Sequence, residues 1–138
     1  MPTPKLPQKI AARQHEITAD FLSVLDRHLA DVVAGRVTEM YEIRDVADAL
    51  HIHPTHLSNT IRLTTGRAPC YFFEAKLMAI ARTMLVDTQR SVADIAAQLT
   101  FDPSNFTKFF KRFQGVTPKQ YREGIWQEER AKTELLTI

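Results

Sequence analysis

The chain has 138 residues, 44% hydrophobic and 25% charged, enough for one domain, or two very small ones, around a modest core. No run approaches the roughly 18 apolar residues of a membrane span, residues 1–8 lack the apolar stretch of a secretory signal, and the one cysteine excludes a disulfide framework and a Cys-based zinc finger. The formal net charge of +2 hides a segregation: residues 51–73 and 103–122 contain no acid but hold seven of the 18 basic residues, leaving 11 basic residues against 16 acidic ones elsewhere. A polyanion would be steered towards those two windows.

In chain order, Pro7 is expected to open a long helix running to about residue 34, with Gly35 as its stop. Its apolar stripe is Ile10, Ile17, Phe21, Val24, Leu25, Leu29 and Val32. The later part of this helix is expected to pack on the first unit; the earlier part, 8–15, exceeds that need and either packs elsewhere, meets a partner or is a frayed, solvated extension. A short helix over 43–50, a turn at 51–53 and a second helix over 54–65 follow, with Gly66 as terminator. The turn and its flank carry His51, His53 and His56. Three imidazoles invite a metal reading, but no cysteine or second cluster supplies further ligands, and Pro54 starts a helix among them. No metal is expected. These histidines are instead expected beside phosphates, where protonation would tighten binding at acid pH.

From residue 69 or 70 to about 86, Phe72, Phe73, Lys76, Leu77, Ile80, Ala81 and Met84 repeat at helical spacing, about 24 Å of helix. Cys70, at its start, is expected as a reduced core thiol of a cytoplasmic protein. Ser91 and Asp94 then form a capping-box pattern ahead of Val92, Ile95, Ala96 and Leu99. The next helix is expected from Ser104 to about Gln114, stopped by Gly115. Residues 124–138 are acidic and carry Trp126, Leu135 and Leu136; a C-terminal helix against the preceding unit is favoured over a disordered tail.

The two helix–turn–helix segments are copies. Shifting the chain by 49 residues lays 43–73 on 92–122 without a gap, pairing Asp45/Asp94, Ala47/Ala96, Leu50/Leu99, Pro54/Pro103, Gly66/Gly115 and Pro69/Pro118. Apolar positions stay apolar, as in Leu57/Phe106 and Ile61/Phe110. On the second helix of each unit one stripe is apolar. The opposite stripe carries Thr55, Ser58, Asn59 and Arg62 in the first unit, and Ser104, Thr107, Lys108 and Lys111 in the second. Short hydroxyls and amides on an open helical stripe suit base edges in a major groove, and flanking cations suit phosphates.

At this point the residues resemble the AraC/XylS family of transcription regulators. Gly115-Val-Thr-Pro-Lys-Gln-Tyr-Arg122, Val92-Ala-Asp-Ile-Ala96 and Asn105-Phe-Thr-Lys-Phe-Phe-Lys-Arg112 match the family pattern, as do Leu57-Ser58 and Thr65-Gly66. The resemblance spans roughly residues 20–122. It implies an all-α fold, two helix-turn-helix subdomains (homeodomain-like three-helix units) joined by a long linker helix. The boundaries read as 1–36 for an N-terminal arm and first helix, 37–68 for the first helix-turn-helix, 69–90 for the linker helix, 91–122 for the second helix-turn-helix and 123–138 for a tail. Carried over, the family's base-reading positions fall on Thr55, Ser58, Asn59, Ser104, Thr107 and Lys108. His56, Arg62, Asn105, Lys111 and Arg112 are the expected phosphate contacts. Two departures stand out: Thr100 occupies a position where the family has Gly, and the turn into the second recognition helix is one residue shorter.

The expected function is sequence-specific binding of double-stranded DNA at two adjacent major-groove segments, by a cytoplasmic, nucleoid-associated regulator without a cofactor. RNA polymerase is the further partner open to an activator of this kind. An enzyme is not expected, because phosphate loop, nucleophile elbow and paired carboxylates are all missing. A helical protein-interaction module would need apolar residues on the stripes that carry Ser, Thr, Asn and Lys. No small-molecule-sensing domain is recognisable in the chain, which therefore resembles either a single-domain member or the DNA-binding part of a longer protein.

Overall fold

The computed structural model describes residues 8–136, which form seven helices: α1 (Gln8–Val33), α2 (Ile43–Ala49), α3 (Pro54–Thr65), α4 (Pro69–Asp87), α5 (Val92–Gln98), α6 (Pro103–Gln114) and α7 (Pro118–Leu136). The expected opening of the first helix at Pro7 lies outside the described residues, as does the side chain of Ile10. None of the described helices is long and apolar enough to cross a membrane.

Each unit repeats the same local solution. Pro54 and Pro103 start the longer helices, where their fixed φ suits the first turn and no N–H is missed. Gly66 and Gly115 end them in the left-handed conformation, at φ 74° and 86°. Between the short and long helices, Ile52 N–H donates to Ala47 O at 3.0 Å and Phe101 N–H to Ala96 O at 2.8 Å. These are one six-residue closure, made twice. It forces the residue before the donor left-handed, at φ 58° for His51 and 69° for Thr100. The missing glycine at residue 100 therefore changes the residue and leaves the turn's conformation intact. Helix α6 begins one residue earlier than Ser104, because Asp102 caps it by accepting from the N–H groups of Ser104 and Asn105 at 3.1 and 3.3 Å.

The core is continuous through both units. Phe21, Leu25 and Leu29 of α1 pack with Val46, Ala47, Leu57 and Ile61, while Ile95, Ala96, Leu99, Phe106 and Phe110 fill the second unit. Helix α4 lies between, burying Leu77, Met78, Ala81, Met84 and Leu85. Met78 and Leu85 fall outside the single stripe read from the sequence, since this helix is covered on more than one side. Phe72 and Phe73 meet the edge of Phe21 at centroid separations of 6.2 and 6.5 Å. Cys70 is exposed rather than core: it is the second residue of α4, on the side turned from the cluster.

One buried polar contact holds the segment leading into α2. His28 is 3% exposed, its Nε2 accepts the backbone N–H of Tyr41 at 2.9 Å, and the Tyr41 ring stacks on the imidazole at 3.8 Å. Burial lowers the His28 pKa below its ordinary 6.5, opposed only in part by the carboxylates of Asp31 and Asp45. The unfolded chain thus takes up this proton first. The contribution is whole above about pH 6.5 and is lost as pH falls below it.

Two outcomes are expected. Thr100→Gly should raise the unfolding free energy by about 1 kcal/mol, seen as a higher urea midpoint at unchanged slope, because a β-branched residue in the left-handed region is strained; a lower midpoint would show that no strain is stored there. Unfolding free energy should decline between about pH 7.5 and about pH 5.5, and His28→Gln, which retains an acceptor without titrating, should flatten that decline.

Candidate nucleic-acid interface

Helices α3 and α6 are each 12 residues long, and each is pinned by one buried face. On α3, Leu57, Thr60 and Ile61 are buried. Thr64 Oγ1 reaches α1 through the Thr18 hydroxyl at 2.7 Å. On α6, Phe106 and Phe110 are fully buried, and Phe101 stacks on Phe109 at 5.2 Å. Phe113, placed on the apolar side by spacing, remains 45% exposed with the Arg112 guanidinium 4.8 Å above its ring.

The opposite faces are open. Thr55, Asn59 and Arg62 are exposed on α3 and Ser58 is half-buried; Ser104, Lys108 and Lys111 are exposed on α6 and Thr107 is half-buried. The structure thus brings each set onto one helical face, with His56 and Asn105 exposed at the edge. Two members have committed part of their capacity. Thr107 Oγ1 donates to Pro103 O at 3.1 Å, so its lone pairs remain for a donor. The Thr55 N–H donates to His53 Nδ1 at 3.1 Å, which makes His53 the cap of α3 and assigns that imidazole a structural task.

The cations sort by task as well. Arg13, Arg36, Arg44 and Lys76 pair with Glu16, Asp31, Glu42 and Asp26 respectively. Arg62, Lys108 and Lys111 have no ion pair among the described residues, and no Asp or Glu lies within either acid-free window to neutralise them. Arg112 differs: it contacts Glu74 of α4 at 3.4 Å with 65% of its side chain exposed, a surface pair that a phosphate could displace cheaply.

Arg122 leaves the basic surface altogether. It is 9% exposed, its Nε donates to Leu85 O at 2.7 Å and its guanidinium to Thr88 O at 3.3 Å. Burial lowers its pKa. Trp126 Nε1 donates to Val86 O at 3.1 Å, and the Arg122 guanidinium lies 5.1 Å from the Trp126 ring centroid. Helix α4 has no basic residue in its last turn, and these two α7 side chains satisfy its terminal carbonyls instead. Sequence spacing carries no sign of either partnership, since both join residues 34–40 positions apart.

A family model described as "Helix-turn-helix domain" matches residues 46–124, more than half of the chain. The chain belongs to the AraC-type helix-turn-helix family. Among curated relatives, the HTH-type transcriptional activator RhaR of Yersinia pseudotuberculosis is 26% identical over 120 residues, 83% of this chain and 41% of that protein. The chain spans only 10–41% of the length of the first curated relatives it matches. Among solved structures, the C-terminal domain of AraT, a response regulator from Geobacillus stearothermophilus, superposes with a TM-score of 0.68 at 24% identity, covering 78% of this chain and 84% of that one. The DNA-binding domain of AdpA, in complex with a target DNA, gives a TM-score of 0.58 at 25% identity, covering 70% and 91%. The all-helical double helix-turn-helix is thus the family's DNA-binding fold.

The separation of cations yields a paired expectation. Lys111→Ala should leave the melting temperature unchanged and flatten the salt dependence of DNA binding by about one unit of slope. Arg122→Met should cost about 2 kcal/mol of stability and leave the slope as it was. Reversed effects would mean that the two side chains had been assigned to the wrong tasks.

Proposed function

We propose that the chain is a sequence-specific, double-stranded-DNA-binding transcription regulator that places α3 and α6 in two neighbouring major-groove segments. The observation that carries this reading is the repeated open face: equivalent positions of two equivalent helices bear small polar groups and unpaired cations, inside the family's DNA-binding fold. Helix α4, 19 residues and so about 28 Å long, is a spacer suited to recognition helices about one DNA turn, 34 Å, apart.

In this reading Thr55, Ser58, Asn59, Ser104, Thr107 and Lys108 meet base edges, with Asn59 suited to adenine and Lys108 to guanine. His56, Arg62, Asn105, Lys111 and Arg112 hold phosphates and set the register. Arg112 exchanges Glu74 for a phosphate as the complex forms. The protein works by binding rather than catalysis, in the cytoplasm on nucleoid DNA. We infer activation as the direction of control, with RNA polymerase as the further partner, from the activator named among its relatives.

Selection from a random double-stranded library at about 100–150 mM salt, followed by sequencing, should return two short motifs about 10 base pairs apart. Lys108→Ala should then relax the preference at one base position, at a cost of about 1–3 kcal/mol on the preferred site. A single motif would leave only one unit reading bases, and uniform weakening by Lys108→Ala on every sequence would make that lysine an anchor.

A further inference from the structure

Gln98 closes α5, and its side-chain amide donates to the carbonyl oxygen of Val33 at the end of α1. That bond joins the first unit to the second directly, without passing through α4. Two features set it apart from the internal needs of a helix-turn-helix. In the repeat Gln98 falls on Ala49, which is exposed, so the turn and its two helices form in the first unit without an amide at this position. The other atom of the same amide, Oε1, is buried without a hydrogen-bond partner among the described residues, a state that subtracts from stability. A polar group held at such a cost in the seam between two units is suited to fixing their orientation. Of the other polar ties on this side of the molecule, Arg82 to Gln114 Oε1 at 3.1 Å and Arg112 to Glu74 run between α6 and α4, and those of Arg122 and Trp126 run from α7 to the end of α4. All of these anchor on the linker, while Gln98 anchors α5 on the far unit.

Resting on the two-unit reading of DNA, we infer that Gln98 is a positioning residue: by tying α5 to the end of α1 it fixes the rotation of the second unit relative to the first, and so the spacing and phase of the two base motifs that the protein accepts. One added base pair moves the second motif by about 3.4 Å and turns it by about 35° around the duplex axis. A rigid pair of recognition helices must reject that change, whereas a pair free to swivel absorbs it.

The test measures binding of the full chain to the selected two-motif site and to sites with one central base pair added or removed. It compares the native protein with Gln98→Met, which retains length without polarity, and Gln98→Asn, whose shorter amide cannot reach Val33. The native protein should lose about tenfold or more in affinity on either altered site. Both variants should lose only about threefold, while holding the best site within about threefold of native. Gln98→Met should also melt close to the native protein, since removing the orphaned oxygen offsets the loss of the bond to Val33. If Gln98 served only as packing or as a cap for α1, Gln98→Met would melt lower and weaken all three sites equally. That result, or a native spacing profile in the variants that fold, overturns the assignment. Should Gln98→Met fail to fold, the spacing profile of Gln98→Asn decides the matter by itself. Failure of the native protein to select any paired motif would instead remove the two-unit reading itself, and this inference with it.

Discussion

Neither helix-turn-helix unit is closed by its own two helices: α1 covers the first, and α4 lies against both. Its buried residues, from Leu77 through Met78, Ala81 and Met84 to Leu85, occupy more than one side of the helix, so the two units share one wall. The cost falls at the end of that wall, where the terminal carbonyls have lost water and no lysine or arginine of α4 replaces it. Arg122 and Trp126 reach back from α7 to fill the gap. The shared wall is also what makes the distance between α3 and α6 a property of the fold rather than of a flexible tether.

The two units show how far a duplicated backbone can diverge inside while remaining alike outside. Leu57 and Ile61 in one become Phe106 and Phe110 in the other, with Phe101, Phe109 and Tyr121 packed around them. Yet the turn closure, the proline start and the glycine stop recur at the same spacing, and so does the open polar face. Core residues answer only to volume and apolarity, so an aliphatic set can give way to an aromatic one if its surroundings adjust together. The turn answers to a backbone angle, and the angle persists at His51 and Thr100 even though neither is glycine.

Much of this is legible in the residues. The Asp-Pro pair at 102–103 marks the start of α6, although spacing alone places it at Ser104; the capping side chain of Asp102 is the signal that corrects the boundary. Helix periodicity and the 49-residue repeat locate the open polar faces of α3 and α6, because local rules govern which side of a short helix is apolar. Distant pairings are invisible. By sequence Arg122 is one more cation in an acid-free window, but the structure buries it, and Cys70 reads as core but is exposed. The partners of Gln98 and His28 lie on other elements, and no spacing rule reaches them. Composition tells how many charges a segment has, and only packing tells which are left for a ligand.

Trp126 is the one tryptophan in the chain, and its place on the seam between α7 and α4 gives the molecule a built-in optical probe. Its indole N–H is held by Val86 and its ring lies near a guanidinium, so its emission responds when that seam opens and is blind to events confined to α1–α3. Intrinsic fluorescence and circular dichroism would therefore trace different curves if the second unit came loose while the first stayed folded. Coincident curves would mark the shared wall as strong enough to make both units melt as one.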